Sequence, residues 1–216
     1  MPAPAGRRIA LLVSGASGMA LPVRLLGALA AVEEVERIHL VASKGASLVL
    51  AHELGRQRTG AADLAEAADL SPAGRGKLEI HRDNELDAPI ASGSYRLDGT
   101  VVLPCSSGTL GALATGEART LVHRAGAVAL KERWPLVLGF RETPLTIVHL
   151  ENLRRLAYAG AVLLPPIPAF YVEGQEPGER AFDRFLAHYA LRVLDHLGLR
   201  TDEEAGLRWD GPPTAE

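Results

Sequence analysis

Two short stretches concentrate groups able to hold an anion or a flat polar ligand. Pro104-Cys-Ser-Ser-Gly-Thr-Leu110 crowds three hydroxyls, a thiol and a glycine together, a composition suited to polar recognition of a heterocycle or a phosphate. In Gly15-Ala-Ser-Gly18 the small residues would let backbone N–H groups approach an anion at the start of a following helix, with the Ser17 hydroxyl beside them. A tight turn with no ligand explains the same residues. The spacing is not G-x-G-x-x-G, which disfavours a nicotinamide dinucleotide. Ala91-Ser-Gly-Ser94 repeats the small-hydroxyl theme before an expected helix. Single cations have bland readings: Lys131 and Arg133 suit the dipole at a helix C-terminus, and Arg192 suits a solvated helix face. Nothing near Cys105 lowers its pKa, so it reads as a small buried residue rather than a nucleophile. Seven histidines are scattered without an H-E-x-x-H pair, and no metal site is expected.

The elements around these stretches follow from hydrophobic pattern. An apolar run at 9–13 leads into Gly15-Ala-Ser-Gly18 and then a helical pattern carrying Leu21, Leu25, Leu26 and Leu29 on one side, the opening of a βαβ unit. A second strand at 38–42 passes through Ser43 into a helix at 44–54. A third apolar strand, 100–103, ends at Pro104. Further strands are expected at 136–140 and 161–164, the second closed by Pro165-Pro-Ile-Pro168. Between them, 61–70 reads as a short helix and Ser71-Pro-Ala-Gly-Arg-Gly76 as turn chemistry. A last helix runs over about 179–197. Strands apolar throughout and separated by helices fit an α/β fold: a single Rossmann-like, flavodoxin-like parallel sheet with helices on both faces. One domain is expected over 1–216, with a core at about 7–198 and a polar tail at 199–216. Ligands of such sheets bind beyond the carboxyl ends of the strands, so the loops above should gather on that edge.

Composition narrows the function. The chain has 216 residues, 47% of them hydrophobic, with a net charge of -3. That balance argues against nucleic-acid or membrane-surface binding through overall positive charge. A lone cysteine excludes an internal disulfide. The longest apolar runs fall far short of the ~20 residues that span a bilayer. A soluble, cytoplasmic protein is the expectation.

Taken in order, these segments resemble the UbiX-type flavin prenyltransferases, flavoproteins of the cysteine decarboxylase-like fold, over about residues 7–209. To the three stretches above the resemblance adds Ala129-Leu-Lys-Glu-Arg133, Pro135-Leu-Val-Leu138, Arg141-Glu-Thr-Pro144, His149-Leu-Glu-Asn152 and Pro168-Ala-Phe-Tyr171. It implies transfer of a dimethylallyl group from dimethylallyl phosphate to reduced FMN, with bonds at N5 and C6, the product serving UbiD-type decarboxylases. It further implies that Gly15, Ala16, Ser17, Ser43, Ser106, Ser107, Thr109 and Arg124 contact FMN. Ser92, Gly93, Lys131, Arg141, Tyr171, Arg192 and Trp209 would serve the prenyl phosphate. Ser17, Glu53 and Glu142 would carry catalytic roles, and a homododecamer would place active sites between neighbouring subunits. No D-D-x-x-D magnesium motif occurs, so arginines and a lysine would stabilise the leaving phosphate, and Glu142 would hand it a proton. One departure stands out. Where the family usually has Tyr-Gly after the first loop, this chain has Leu21-Pro22. An FMN-dependent decarboxylase of peptidyl-cysteine or phosphopantothenoylcysteine type is an alternative, against which stands the lack of a P-x-M-N-x-x-M stretch. A flavin-binding regulatory subunit without turnover is another.

Overall fold

The computed structural model describes residues 6–55, 60–169, 179–201 and 207. Six parallel strands form one sheet: β1 (Arg7–Val13), β2 (Val35–Ala42), β3 (Leu78–Arg82), β4 (Gly99–Cys105), β5 (Leu136–Phe140) and β6 (Val162–Leu163). Their order is β3-β2-β1-β4-β5-β6, so the chain reverses its direction of travel between β1 and β4. Ile9 to Val13 in central β1 are fully buried, as a strand covered on both faces requires.

Eight α-helices complete the described residues: α1 (Ala20–Ala31), α2 (Lys44–Leu54), α3 (Ala61–Ala67), α4 (Pro72–Gly76), α5 (Ser107–Thr115), α6 (Leu121–Glu132), α7 (Ile147–Tyr158) and α8 (Glu179–His196). One face of the sheet packs Leu25, Leu29, Leu64, Val193 and Leu194 from α1, α3 and α8 against Ile9, Leu11 and Leu40. The other packs Leu110, Val122, Ala125 and Leu156 from α5, α6 and α7 against Ala10, Leu12 and Val102. Glycines permit two close approaches. A Cβ on Gly139 would lie 2.4 Å from Leu103 and 2.6 Å from the Tyr189 hydroxyl, and one on Gly15 would lie 2.8 Å from the Gly45 backbone.

Three expectations need correction. The strand at 100–103 is the fourth in the chain: Leu78–Arg82 precedes it as an edge strand. It escapes pattern reading because Ile80 faces out and only His81 is buried. Residues 72–76 form a helix rather than a bare turn, capped by the Ser71 hydroxyl accepting from Gly74 N–H. No helix follows Ser94. The segment runs from a short 3-10 turn, Pro89–Ala91, into β4, so it sits at the amino ends of the strands. β4 also passes through Pro104 to Cys105, with its register to β5 shifting between Val102 and Cys105, where Pro104 has no N–H to give.

Candidate active site

Strand carboxyl ends converge at the point where the sheet order reverses. Ser14, directly after β1, is buried and ties that edge together: its hydroxyl donates to the Pro104 carbonyl at 2.9 Å and accepts from Ser106 N–H at 2.8 Å. Ser43 after β2 and Ser106 after β4 then cap α2 and α5, accepting from Ala46 and Thr109 N–H. Thr120 caps α6 in the same way, and the Asp83 carboxylate accepts from Val122 N–H at 2.9 Å. Three helix N-termini therefore point at one open cleft of about 800 Å³, within the ~300–1,000 Å³ usual for cofactor sites. Gly15, Ser43, Ser106, Ser107 and Thr109 line it, five of the eight residues expected at the cofactor. Ala16 and Ser17 form the adjacent loop. Arg124 lies in the first turn of α6, exposed and next to the lining residue His123.

At α1 the expected vacancy for an anion is already filled. Both Glu53 carboxylate oxygens accept from Gly18 N–H, at 3.0 and 3.1 Å, and one accepts from Met19 N–H at 2.8 Å. The chain's own carboxylate thus takes the positive end of the helix. An external anion is left the helix N-termini that face the cleft, those of α2, α5 and α6.

Beyond β5, the Ser107 hydroxyl donates to Glu142 at 2.9 Å and Thr143 N–H donates at 3.0 Å. The Ser107 bond first, then the Thr143 N–H, holds the Glu142 carboxyl below the usual carboxylate range, so it is an anion near neutral pH in the free protein. Arg141 precedes it with its N–H on the Cys105 carbonyl. The Nε of Arg141 and Nδ1 of His123 are buried with no hydrogen-bond partner among the described residues. The buried Arg141 N–H calls for an acceptor, and a bound phosphate or flavin carbonyl would supply one; His123 Nδ1 takes a donor or an acceptor according to its tautomer. The donor set therefore fits FMN. Cys105 belongs to the core and not to the cleft; burial pushes its thiol up to about 12.

Other expected site residues stand elsewhere in this chain. Helix α6 returns to the amino edge before β5, carrying Lys131 there, paired with Glu132. Gly93 packs against that pair, since a Cβ on it would overlap the Lys131 and Glu132 side chains. Ser92 bonds Ser94 beside them at 2.8 Å. Arg192 is exposed on the half of α8 that approaches the amino edge, where Leu197 accepts from Arg7, and it pairs with Asp195 at 3.2 Å. Ser92, Gly93, Lys131 and Arg192 thus do not join the cleft of their own chain. Tyr171 and Trp209 lie outside the described residues. Pattern reading missed Ser14, His123 and Asp83; only Ser14, the polar residue closing an apolar strand, left a signal.

The model of the Flavoprotein family matches residues 4–182. Flavin prenyltransferase UbiX of Pseudomonas aeruginosa is 39% identical over 90% of this chain and 91% of its own length. The chain belongs to the UbiX flavin prenyltransferase family. A probable UbiX-like flavin prenyltransferase of Bacillus subtilis is 40% identical over 95% of this chain and 92% of its own. Among UbiX structures, AnUbiX in complex with FMN and dimethylallyl pyrophosphate has a TM-score of 0.78 at 36% identity, covering 95% of this chain and 98% of that one. A dodecameric FMN-dependent UbiX-like decarboxylase from Escherichia coli O157:H7 also scores 0.78 at 38% identity, over 94% and 100%. In this chain Leu21 is buried in the α1-side core and Pro22 sits in the first turn of α1, where proline is tolerated. Leu21 therefore serves core packing in this chain. No helix among the described residues is long and apolar enough to cross a membrane.

Proposed function

We propose that this one-domain protein binds reduced FMN in the carboxyl-edge cleft and transfers to it the dimethylallyl group of dimethylallyl phosphate. The observation that carries this reading is the Ser107–Glu142 bond set beside the unpartnered Arg141 Nε, at the mouth of a hydroxyl-lined cleft. When bound, reduced FMN supplies N5 and C6 as the atoms that receive the prenyl group.

The chain's own residues do the rest. Ser43, Ser106, Ser107 and Thr109 present hydroxyls and helix N-terminal N–H groups to the flavin. Arg141 grips the phosphate with a planar fork. Glu142 starts as an anion, and a phosphate brought against it raises its affinity for a proton, because two like charges cannot both ionise cheaply at contact. A phosphate monoester loses its second proton near pH ~6, so one proton is shared between them and leaves with the phosphate as the C–O bond breaks. Ser17, on the loop before α1, and Glu53, reaching that loop from α2, would move the flavin's proton. Lys131, Arg192, Ser92 and Gly93 act on the site of a neighbouring copy, within a homododecamer. That division follows from their position on the opposite edge of the sheet from the cleft.

Likeness to cysteine decarboxylases such as TvaF, at 18% identity, supports a shared fold alone. The prenylated product would pass to a UbiD-type decarboxylase, and a cytoplasmic location suits a chain whose single thiol stays free. The test is reconstitution. Protein, reduced FMN and dimethylallyl phosphate, incubated without oxygen and filtered, should activate an apo UbiD-type decarboxylase, and dimethylallyl pyrophosphate in a parallel arm ranks the two donors. Filtrates that never activate it from either donor would contradict the assignment.

A further inference from the structure

We infer that His39, Glu79 and His81 form a binding site for one divalent transition-metal ion of the Zn²⁺ class, held between strands β2 and β3. The inference does not depend on the flavin reading, and none of the three residues lines the flavin cleft.

Strand pairing builds the site. Residues 39 and 79 are register partners, as are 41 and 81. The two-residue period of a strand therefore puts 39, 79 and 81 side by side on one face. His39 Nδ1 lies 3.0 Å from His81 Nε2, 3.8 Å from one Glu79 oxygen, and His81 Nε2 lies 3.7 Å from the other. A tetrahedral ion with bonds of ~2.0–2.1 Å spaces its ligand atoms about 3.3 Å apart. One ligand atom from each residue lies within 4.8 Å of the other two, and the 3.0 Å and 3.7–3.8 Å spacings fall on either side of that value.

The outer nitrogen of His39 is held as that of a metal-ligating imidazole usually is. The Tyr95 hydroxyl, 3.0 Å from His39 Nε2, is a partner that orients that ring, and a Glu85 carboxylate stands 3.8 Å from His81 Nδ1. His39 is fully buried and His81 nearly so, which sets two ligands rigidly. The Glu79 side chain, 36% exposed on the edge strand, gives an ion a way in. Arg37 reaches Glu79 at 3.9 Å and Arg8 lies over the Tyr95 ring; Glu79 and Glu85 offset those two charges. Without metal, a single proton bridges the two imidazoles. The ion replaces that proton, and water completes a two-histidine, one-carboxylate set. Two imidazoles with one carboxylate favour Zn²⁺ over Mg²⁺ or Ca²⁺. Bound there, the ion would fasten edge strand β3 to its neighbour.

The experiment uses the full-length, tag-free protein stripped with chelator and dialysed. Calorimetric titration with ZnCl₂ should show one tight equivalent per chain, MgCl₂ should show none, and Co²⁺ should give the visible absorption of a tetrahedral site. Zn²⁺ should also raise the melting temperature. Glu79→Gln and His81→Asn should each weaken Zn²⁺ at least tenfold and abolish that rise, while His196→Asn at an exposed position changes neither. The Co²⁺ spectrum needs no variant, so a variant that misfolds leaves the inference testable. Absence of Zn²⁺ binding, equal binding of Mg²⁺, or Zn²⁺ binding that survives both substitutions would overturn it.

Discussion

Replacing Glu142 by Gln separates an acid from a structural partner. In the free protein the Glu142 carboxylate accepts from the Ser107 hydroxyl at 2.9 Å and from Thr143 N–H at 3.0 Å. A glutamine keeps the shape but offers one acceptor oxygen. Its amide NH₂ must face one of those donors, and the Ser107 hydroxyl can turn to accept from it. The Thr143 bond can thus persist, and FMN and prenyl phosphate should still bind. What is lost is the proton. General acid help is worth roughly 10²–10⁴-fold; with the phosphate's own proton as partial substitute, a loss of at least about tenfold is expected, or about 1.4 kcal/mol of barrier. The assay is single-turnover flavin alkylation at saturating dimethylallyl phosphate, followed across pH. Ser107→Ala supplies the sign. It removes the largest cause of the low Glu142 pKa, so Glu142 keeps its proton to higher pH. The alkaline fall in rate should move upward in pH. Wild-type turnover in the glutamine variant, or a Ser107→Ala profile shifted downward, would refute the acid role.

Other outcomes follow from the same geometry. Arg141→Lys should weaken prenyl phosphate binding more than it slows saturated turnover, because a point charge replaces a bidentate fork, read as KM against kcat. Gly15→Ala drives a Cβ to 2.8 Å from the Gly45 backbone, so FMN affinity measured by fluorescence quenching should fall while far-UV circular dichroism is retained. Lys131→Ala and Arg141→Ala should each be nearly inactive. Co-expressed, they should recover up to about a quarter of wild-type activity if two copies share each site and mix at random, and none if one chain holds the whole site. Cys105, with its thiol pushed up to about 12, should resist iodoacetamide at about pH 8 in the native state and react in urea, against an ordinary thiol pKa of ~8.5.

The central elements were legible because burial on both faces leaves an unbroken apolar run: β1 and β5 read directly, and Ser43 marks the start of α2 as an N-cap. The edge was not. Leu78-Glu-Ile-His-Arg82 exposes Ile80 and Arg82, and its one buried residue is a histidine, so nothing in its pattern announces a strand. The cleft was readable as chemistry, since hydroxyls after strand ends have few other uses. Its geometry was not. Glu53 lies 35 residues from Gly18, and only the path of α2 brings it to the first turn of α1. Motifs also carry no direction. Lys131 and Ser92 look like neighbours of Ser106 in a family pattern, yet α6 must return to the amino edge before a parallel strand begins. His39 and His81, 42 residues apart, meet through strand register alone.

The most direct test of the central claim is the mass of the flavin itself. Purified protein, reduced FMN and dimethylallyl phosphate are incubated without oxygen in EDTA, and the released flavin is weighed. Transfer at N5 and C6 with loss of phosphate predicts FMN heavier by one C5H8 unit, formed at the same rate with and without the chelator. Recovery of unaltered FMN, from protein shown to bind it, would contradict the account and leave a flavin-binding protein of another activity.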